Sequence, residues 1–175
     1  HGTFLGSIIS SEQTAAAEGK VGSLRHDPFA MLPFCGYNMG DYFAHWLSVG
    51  KSADAAKLPK IFYVNWFRKD AKGKFLWPGY GDNIRVLKWI FSRVDEDAAA
   101  ADAVSTAIGY LPAPGAIDIS GLEVTPEELS EITAVKAEAW KNEVAEIKEY
   151  YKKFADKLPT GLADEVKSLE ERLAK

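Results

Sequence analysis

Cys35 is the only cysteine among the 175 residues, so no disulfide can form within the chain. A lone thiol is compatible with a reducing cytoplasm, where we expect the protein to work. Long apolar runs are missing too. None approaches the roughly 18 residues of a membrane-spanning helix, and the start lacks the charged-then-apolar pattern of a secretory signal. There is no excess of positive charge: the net charge is -4, and lysines and arginines are interleaved with acids. That pattern argues against a nucleic-acid surface as the main function. The three histidines, His1, His26 and His45, show no zinc spacing with one another or with Cys35. Cys35, between Phe34 and Gly36, reads as a small buried hydrophobe. A phosphate-binding loop is also lacking. Val49–Ser52 (VGKS) has the tail of one, but His45 stands where the first glycine belongs, and the stretch closes a helix rather than opening one.

Apolar residues make up 47% of the chain, enough for one domain with a real core. His1–Ser10 reads as a short apolar strand, and Ser11–Ser23 as a mobile, small-residue loop with at most one helical turn. Prolines and Gly36 break up His26–Tyr37. Asn38 should cap a helix near Met39–Val49, with Met39, Phe43 and Trp46 on one face, His45 beside it and Gly50 at its end. Lys60–Trp66 (KIFYVNW) reads as a buried strand. Asp70–Lys74 is a turn beyond which Phe75–Trp77 pairs back. A helix near Asp82–Val94 places Ile84, Leu87, Ile90, Phe91 and Val94 at helical spacing. Asp97–Ala107 is ambiguous, and Leu111–Leu122 is extended. The capping box Thr125–Glu128 (TPEE) opens a long helix striped by Trp140, Val144, Ile147, Tyr151, Phe154 and Leu158, which Pro159 stops. Thr160 caps a last helix whose apolar face is Leu162, Val166, Leu169 and Leu173. There is no internal repeat.

Two of these features have competing readings. The stripe from Trp140 is either a helix folded onto its own domain or a partner-binding face. Asn65–Asn83 (NWFRKDAKGKFLWPGYGDN) gathers Trp66, Phe67, Phe75, Trp77 and Tyr80 around a turn and a glycine-bracketed loop. From composition alone it is either a hydrophobic cluster under a hairpin or a slot whose aromatic planes stack on a purine.

The strings SSEQTAAAEGK, HDPFAMLPFCGYNMGDYFAHWL and KLPKIFYVNWFRKDAKGKFLWPGYGDN, in this order, resemble the GTP-dependent phosphoenolpyruvate carboxykinases. The likeness is strong from His1 to about Leu122 and looser over the terminal helices. It implies an α/β fold: residues 1–122 as part of a GTP-binding catalytic lobe, and residues 123–175 as helices packed on the same lobe. His1 would then be an internal residue of a longer, monomeric enzyme. That enzyme converts oxaloacetate and GTP to phosphoenolpyruvate, GDP and carbon dioxide, with Mn2+ or Mg2+ held by residues outside this segment. The phosphate-binding loop, metal ligands and oxaloacetate-binding arginines would lie upstream, so no catalytic residue is assigned here and the isolated segment should be inactive.

By the same resemblance, Phe67, Phe75 and Tyr80 enclose the guanine ring, and Asn83 contacts the base edge through its amide. Tyr80 stands where the family often has Phe. Gly81 and Asp82 complete a loop that presents backbone amides. Ser11, Glu12, Gln13, Thr14, Ala15, Ala16, Ala17, Glu18, Gly19, Lys20, Val21 and Gly22 match the active-site lid, which closes over substrates and shields the enolate from water. Without the resemblance, the rival functions are a non-catalytic purine-nucleotide-binding module and a helical interaction domain.

Overall fold

The computed structural model describes residues 1–13, 22–95 and 102–175. They form two compact units, one from His1–Ile61 with Ala137–Lys175 and the other from Phe62–Lys136. Helix and strand are mixed, as an α/β assignment requires, and among the described residues the strands make two antiparallel two-stranded ribbons.

The first unit begins with helix α1 (Gly2–Ser7), where a strand was expected. The β-branched pair that suggests a strand, Ile8 and Ile9, lies just beyond it. Within the helix, Phe4 and Ser7 fall three residues apart and are both buried. The Ser7 hydroxyl donates to the Phe4 carbonyl at 2.8 Å. It also lies 2.6 Å from the Tyr151 hydroxyl, which must then be the donor of that second bond. Burial pushes the Tyr151 phenol up to about 12, so it stays protonated and able to donate.

Strand β1 (Ser10–Glu12) pairs with β2 (Leu24–His26) in the register Ser10↔His26. Helix α2 (Met39–Ser52) starts where expected: Asn38 Oδ1 accepts from the Gly40 amide at 2.8 Å. Gly50 does not end it. The helix runs to Ser52, so Val49–Ser52 is its last turn, and Ala53 leaves in an extended conformation. His45 is exposed and stacks on Tyr42 with ring centroids 6.3 Å apart. Cys35 is a half-exposed free thiol rather than a buried one, because Leu32–Phe34 forms a surface 3-10 turn.

Helices α5 (Ala137–Tyr151) and α6 (Thr160–Leu173) pack together and close this unit. Val144, Ile147, Tyr151 and Phe154 are buried in it, so most of the stripe is taken up internally and no partner-binding face is needed to explain it. The stripe is not one continuous helix. It tightens to 3-10 turns over Lys152–Lys157 that are broken by a kink at Ala155 (φ 50, ψ -128), and Leu158 is extended at φ -63, ψ 119. A residue before proline is driven out of the helical region, which accounts for the extended Leu158 ahead of Pro159. Pro159, not Thr160, occupies the N-cap of α6, whose buried face is Leu162, Val166, Leu169 and Leu173 as read.

The second unit is built on Trp77, Trp89 and Ile117, with Phe62, Trp66, Val86 and Ile90 half-buried against them. Lys60–Trp66 lies outside every strand. Its β-rich composition suits a pleated, half-buried surface, but here only Phe62 and Trp66 turn to the core, and they are spaced by four rather than two. Helix α3 (Asn83–Val94) packs through Val86, Trp89 and Ile90, leaving Ile84, Leu87, Phe91 and Val94 exposed. The apolar face chosen from the spacing is therefore largely the outer one. The stretch Asp97–Ala107 lies partly outside the described residues. Its remainder gives β3 (Ala103–Thr106), paired with β4 (Gly109–Pro112).

Helix α4 (Pro126–Thr133) carries the full capping box, with Thr125 and Glu128 bonding reciprocally. It stops at Ala134 instead of running on into the next helix. The Arg68 guanidinium donates to the carbonyls of Ile132 at 2.9 Å and of Ala134 at 3.3 Å. It thereby satisfies acceptors that a helix C-terminus leaves open. No helix among the described residues is long and apolar enough to cross a membrane.

Candidate functional site

The aromatic segment 65–83 lies wholly in the second unit and is held by local hydrogen bonds. The Phe67 amide donates to Asn65 Oδ1 at 2.9 Å. Asp70 Oδ1 accepts from the amides of Lys72 at 2.8 Å and Lys74 at 2.9 Å, an Asx arrangement that closes the turn. Gly73, at φ +82, supplies the left-handed residue this turn needs. Lys69 and Phe75 form a single antiparallel bridge, and the Leu76 amide reaches the Arg68 carbonyl at 3.0 Å. Phe75–Trp77 therefore pairs back as expected, though too briefly to count as a strand. The turn is also tied to α4, since Lys74 Nζ lies 3.3 Å from Glu128 Oε1. The Thr125 amide first, and Lys74 after it, hold the Glu128 carboxyl below its ordinary range.

This hairpin sorts its aromatics into two sets. Trp77 is 8% exposed and half-buried Trp66 packs against it, the centroids 6.5 Å apart. Phe67, Phe75 and Tyr80 are 74%, 49% and 92% exposed. Phe67 and Phe75 meet edge to face with centroids 6.3 Å apart, and Lys69 Nζ sits 4.8 Å from the Phe75 centroid. The tryptophans are thus the hydrophobic cluster under the hairpin, and the phenylalanines and the tyrosine are left outside it. All three rings keep surface open to solvent within one short loop system.

The loop then turns into α3. Tyr80, Gly81 and Asp82 make one 3-10 turn, closed by the Asp82 amide on the Gly79 carbonyl at 3.2 Å. Asp82 occupies the N-cap of α3, and its Oδ1 accepts from Arg85 Nε at 3.3 Å. Asn83 is the first residue of the helix, and its backbone amide donates to the Tyr80 carbonyl of the preceding 3-10 turn. Its Oδ1 accepts from the Trp77 indole N–H at 2.8 Å. The sequence reading missed that bond, and also the Lys69 and Arg68 contacts. An indole six residues before an asparagine is the one trace of it in the sequence. A separate cleft of about 290 Å3, lined by Pro112, Ile117, Leu129 and Thr133 among others, shares no residue with the aromatic loop.

Of the segment Ser11–Gly22, the structure describes Ser11, Glu12, Gln13 and Gly22; residues 14–21, with the alanine run, lie outside the described residues. The described ends are joined. The Gln13 amide donates to the Ser23 carbonyl at 2.8 Å, and the Gly22 amide to the Gln13 carbonyl at 3.0 Å. Gly22 has φ +84. Among the described residues no three His, Cys, Asp or Glu side chains come together as a metal ion would require.

Comparison with known proteins agrees with the strings quoted above. Residues 1–172 match the family model described as the phosphoenolpyruvate carboxykinase C-terminal P-loop domain. The chain is 57% identical over 173 residues to the phosphoenolpyruvate carboxykinase (GTP) of Neocallimastix frontalis, covering 99% of this chain and 28% of that protein. It is 55% identical over 175 residues to the protein of that name in Treponema pallidum (strain Nichols), covering 99% of this chain and 28% of that protein. Against the one in Arthrobacter sp. (strain FB24) it is 51% identical over 174 residues, again covering 99% and 28%. The chain thus spans 28% of the length of these relatives, and across nearly all of its own length it belongs to the family of GTP-dependent phosphoenolpyruvate carboxykinases.

Proposed function

We propose that this chain is the guanine-holding part of a larger enzyme that converts oxaloacetate and GTP to phosphoenolpyruvate, GDP and carbon dioxide. The observation that carries the reading is the sorting of the aromatics: Phe67, Phe75 and Tyr80 stay exposed while neighbouring Trp77 is buried. Exposed rings offer faces to a purine, and the Asn83 side chain offers hydrogen bonds to its edge. The names of the relatives supply the reaction. In this reading the divalent cation and the phosphates are bound by residues outside the chain, and the isolated segment is inactive.

Base preference tests it. Guanine and hypoxanthine carry an acceptor oxygen at position 6 and a protonated N1, whereas adenine carries an amine and a bare nitrogen. A mispaired buried contact costs about 1–3 kcal/mol, so the full-length enzyme should use GTP and ITP well and ATP poorly. Steady-state kinetics with the three nucleotides decides this, and equal kcat/KM for GTP and ATP would end the reading.

We also propose that Ser11–Gly22 is the active-site lid, with the β1–β2 ribbon as its stem. The pairing of its described ends and its likeness to the family's lid support this. Gly22 at φ +84 is the place to disturb it, since a side chain there costs about 1–2 kcal/mol. In the full-length enzyme, Gly22→Ala should lower turnover and raise the share of oxaloacetate that ends as pyruvate, with little change in KM for GTP. If the ratio of pyruvate to phosphoenolpyruvate and kcat both stay as in the wild type, the segment is an ordinary surface loop.

A further inference from the structure

We infer that Trp77 sets the base selectivity of this pocket without touching the base, by locking the Asn83 amide in one orientation. An indole N–H can only donate, so the Asn83 atom 2.8 Å from Trp77 Nε1 must be the carbonyl oxygen Oδ1. Nδ2, the donor end, is left without a protein partner among the described residues. The indole cannot turn away to release the amide. It is 8% exposed and wedged against Trp66, with Trp89 and Ile117 in the same cluster. Flipping Asn83 would point Nδ2 at the indole and leave the Trp77 N–H without an acceptor. A buried donor in that state disfavours the flipped form by roughly 5- to 150-fold.

The consequence for recognition is one of sign. A freely turning asparagine is ambidextrous: its amide serves a 6-oxo purine one way round and a 6-amino purine the other. With Oδ1 held by Trp77, the amide presents a donor. A donor suits the oxygen at position 6 of guanine or hypoxanthine and meets the amine of adenine as a second donor. Trp77 thus belongs both to the core and, as a positioning residue, to the specificity of the site. The inference rests on the guanine-pocket reading above.

The test compares Trp77→Phe and Asn83→Ala in the full-length enzyme, measuring kcat/KM for GTP and for ATP. The phenylalanine keeps an aromatic ring in the core but removes the N–H donor together with part of the indole's volume, which is why stability is measured beside the kinetics. We expect the GTP-to-ATP ratio to fall by about 5- to 10-fold in Trp77→Phe and to fall in Asn83→Ala as well. Melting temperature and KM for oxaloacetate serve as controls. A purely structural tryptophan would lower both nucleotides alike and leave the ratio intact. That result, beside a reduced ratio in Asn83→Ala, would overturn the locking role and leave the pocket reading standing. If the ratio is unchanged in both variants, the pocket reading fails and this inference with it. Should Trp77→Phe not fold, hydrogen exchange at the Trp77 indole decides: the N–H should exchange faster in Asn83→Ala than in the wild type, and equal rates would overturn the inference.

Discussion

The full-length enzyme carrying Phe67→Ala together with Phe75→Ala is expected to show a KM for GTP raised by roughly 30- to 1000-fold. A base stacked on an aromatic face loses about 1–3 kcal/mol when that ring is removed. The two rings touch, with centroids 6.3 Å apart, so their losses should not simply add. A combined loss of about 2–4 kcal/mol corresponds to that range at about 1.4 kcal/mol per tenfold. KM for oxaloacetate should move far less, because that substrate has no flat base to stack. Folding should hardly change: both rings are about half or more exposed, and surface truncations are worth about 0.5 kcal/mol or less. Thermal melting beside the kinetics distinguishes the alternatives. A large drop in melting temperature with an unchanged KM for GTP would make the rings part of a hydrophobic cluster after all.

Phe43→Ala should act the opposite way, on stability. Phe43 is 0% exposed and packs edge to face on Phe154 at 5.2 Å, with Trp46 at 5.3 Å. Removing a buried phenylalanine ring loses its transfer free energy and leaves a cavity, about 3–5 kcal/mol together. Calorimetry of the full-length protein should show the transition of this unit lowered by about 6–20 °C. A shift of under about 2 °C would mean that this aromatic cluster is not the core that joins α2 to the segment after α5.

The contrast between these two variants marks the division between what was legible and what was not. Phe43 and Phe75 are the same residue type, each with a tryptophan within three residues, and composition does not separate them. Their exposures, 0% and 49%, do. The resemblance singled out Phe67, Phe75, Tyr80 and Asn83, but no local pattern indicated that Trp77 would be buried beneath them with its N–H on Asn83.

What the sequence determined by itself is the chemistry that acts over a few residues. The Asn38 cap, the Thr125–Glu128 capping box, the Asp70–Lys74 turn and the buried face of α6 all form as read. Each depends on hydrogen bonds or helical spacing within one or two turns of chain. Tertiary structure decided the rest, because the deciding partner is far away in sequence. His1–Ser10 contains a helix rather than a strand, with Ser7 bonded to Tyr151. Helix α4 ends at Thr133, where Arg68 reaches across to its last carbonyls. The inner face of α3 is the one that meets Trp77 and Ile117, although its outer face is as apolar and as regularly spaced. Periodicity shows that a face exists. Which face is covered is a property of the neighbours, and burial free energy is gained only where a neighbour is present to exclude water.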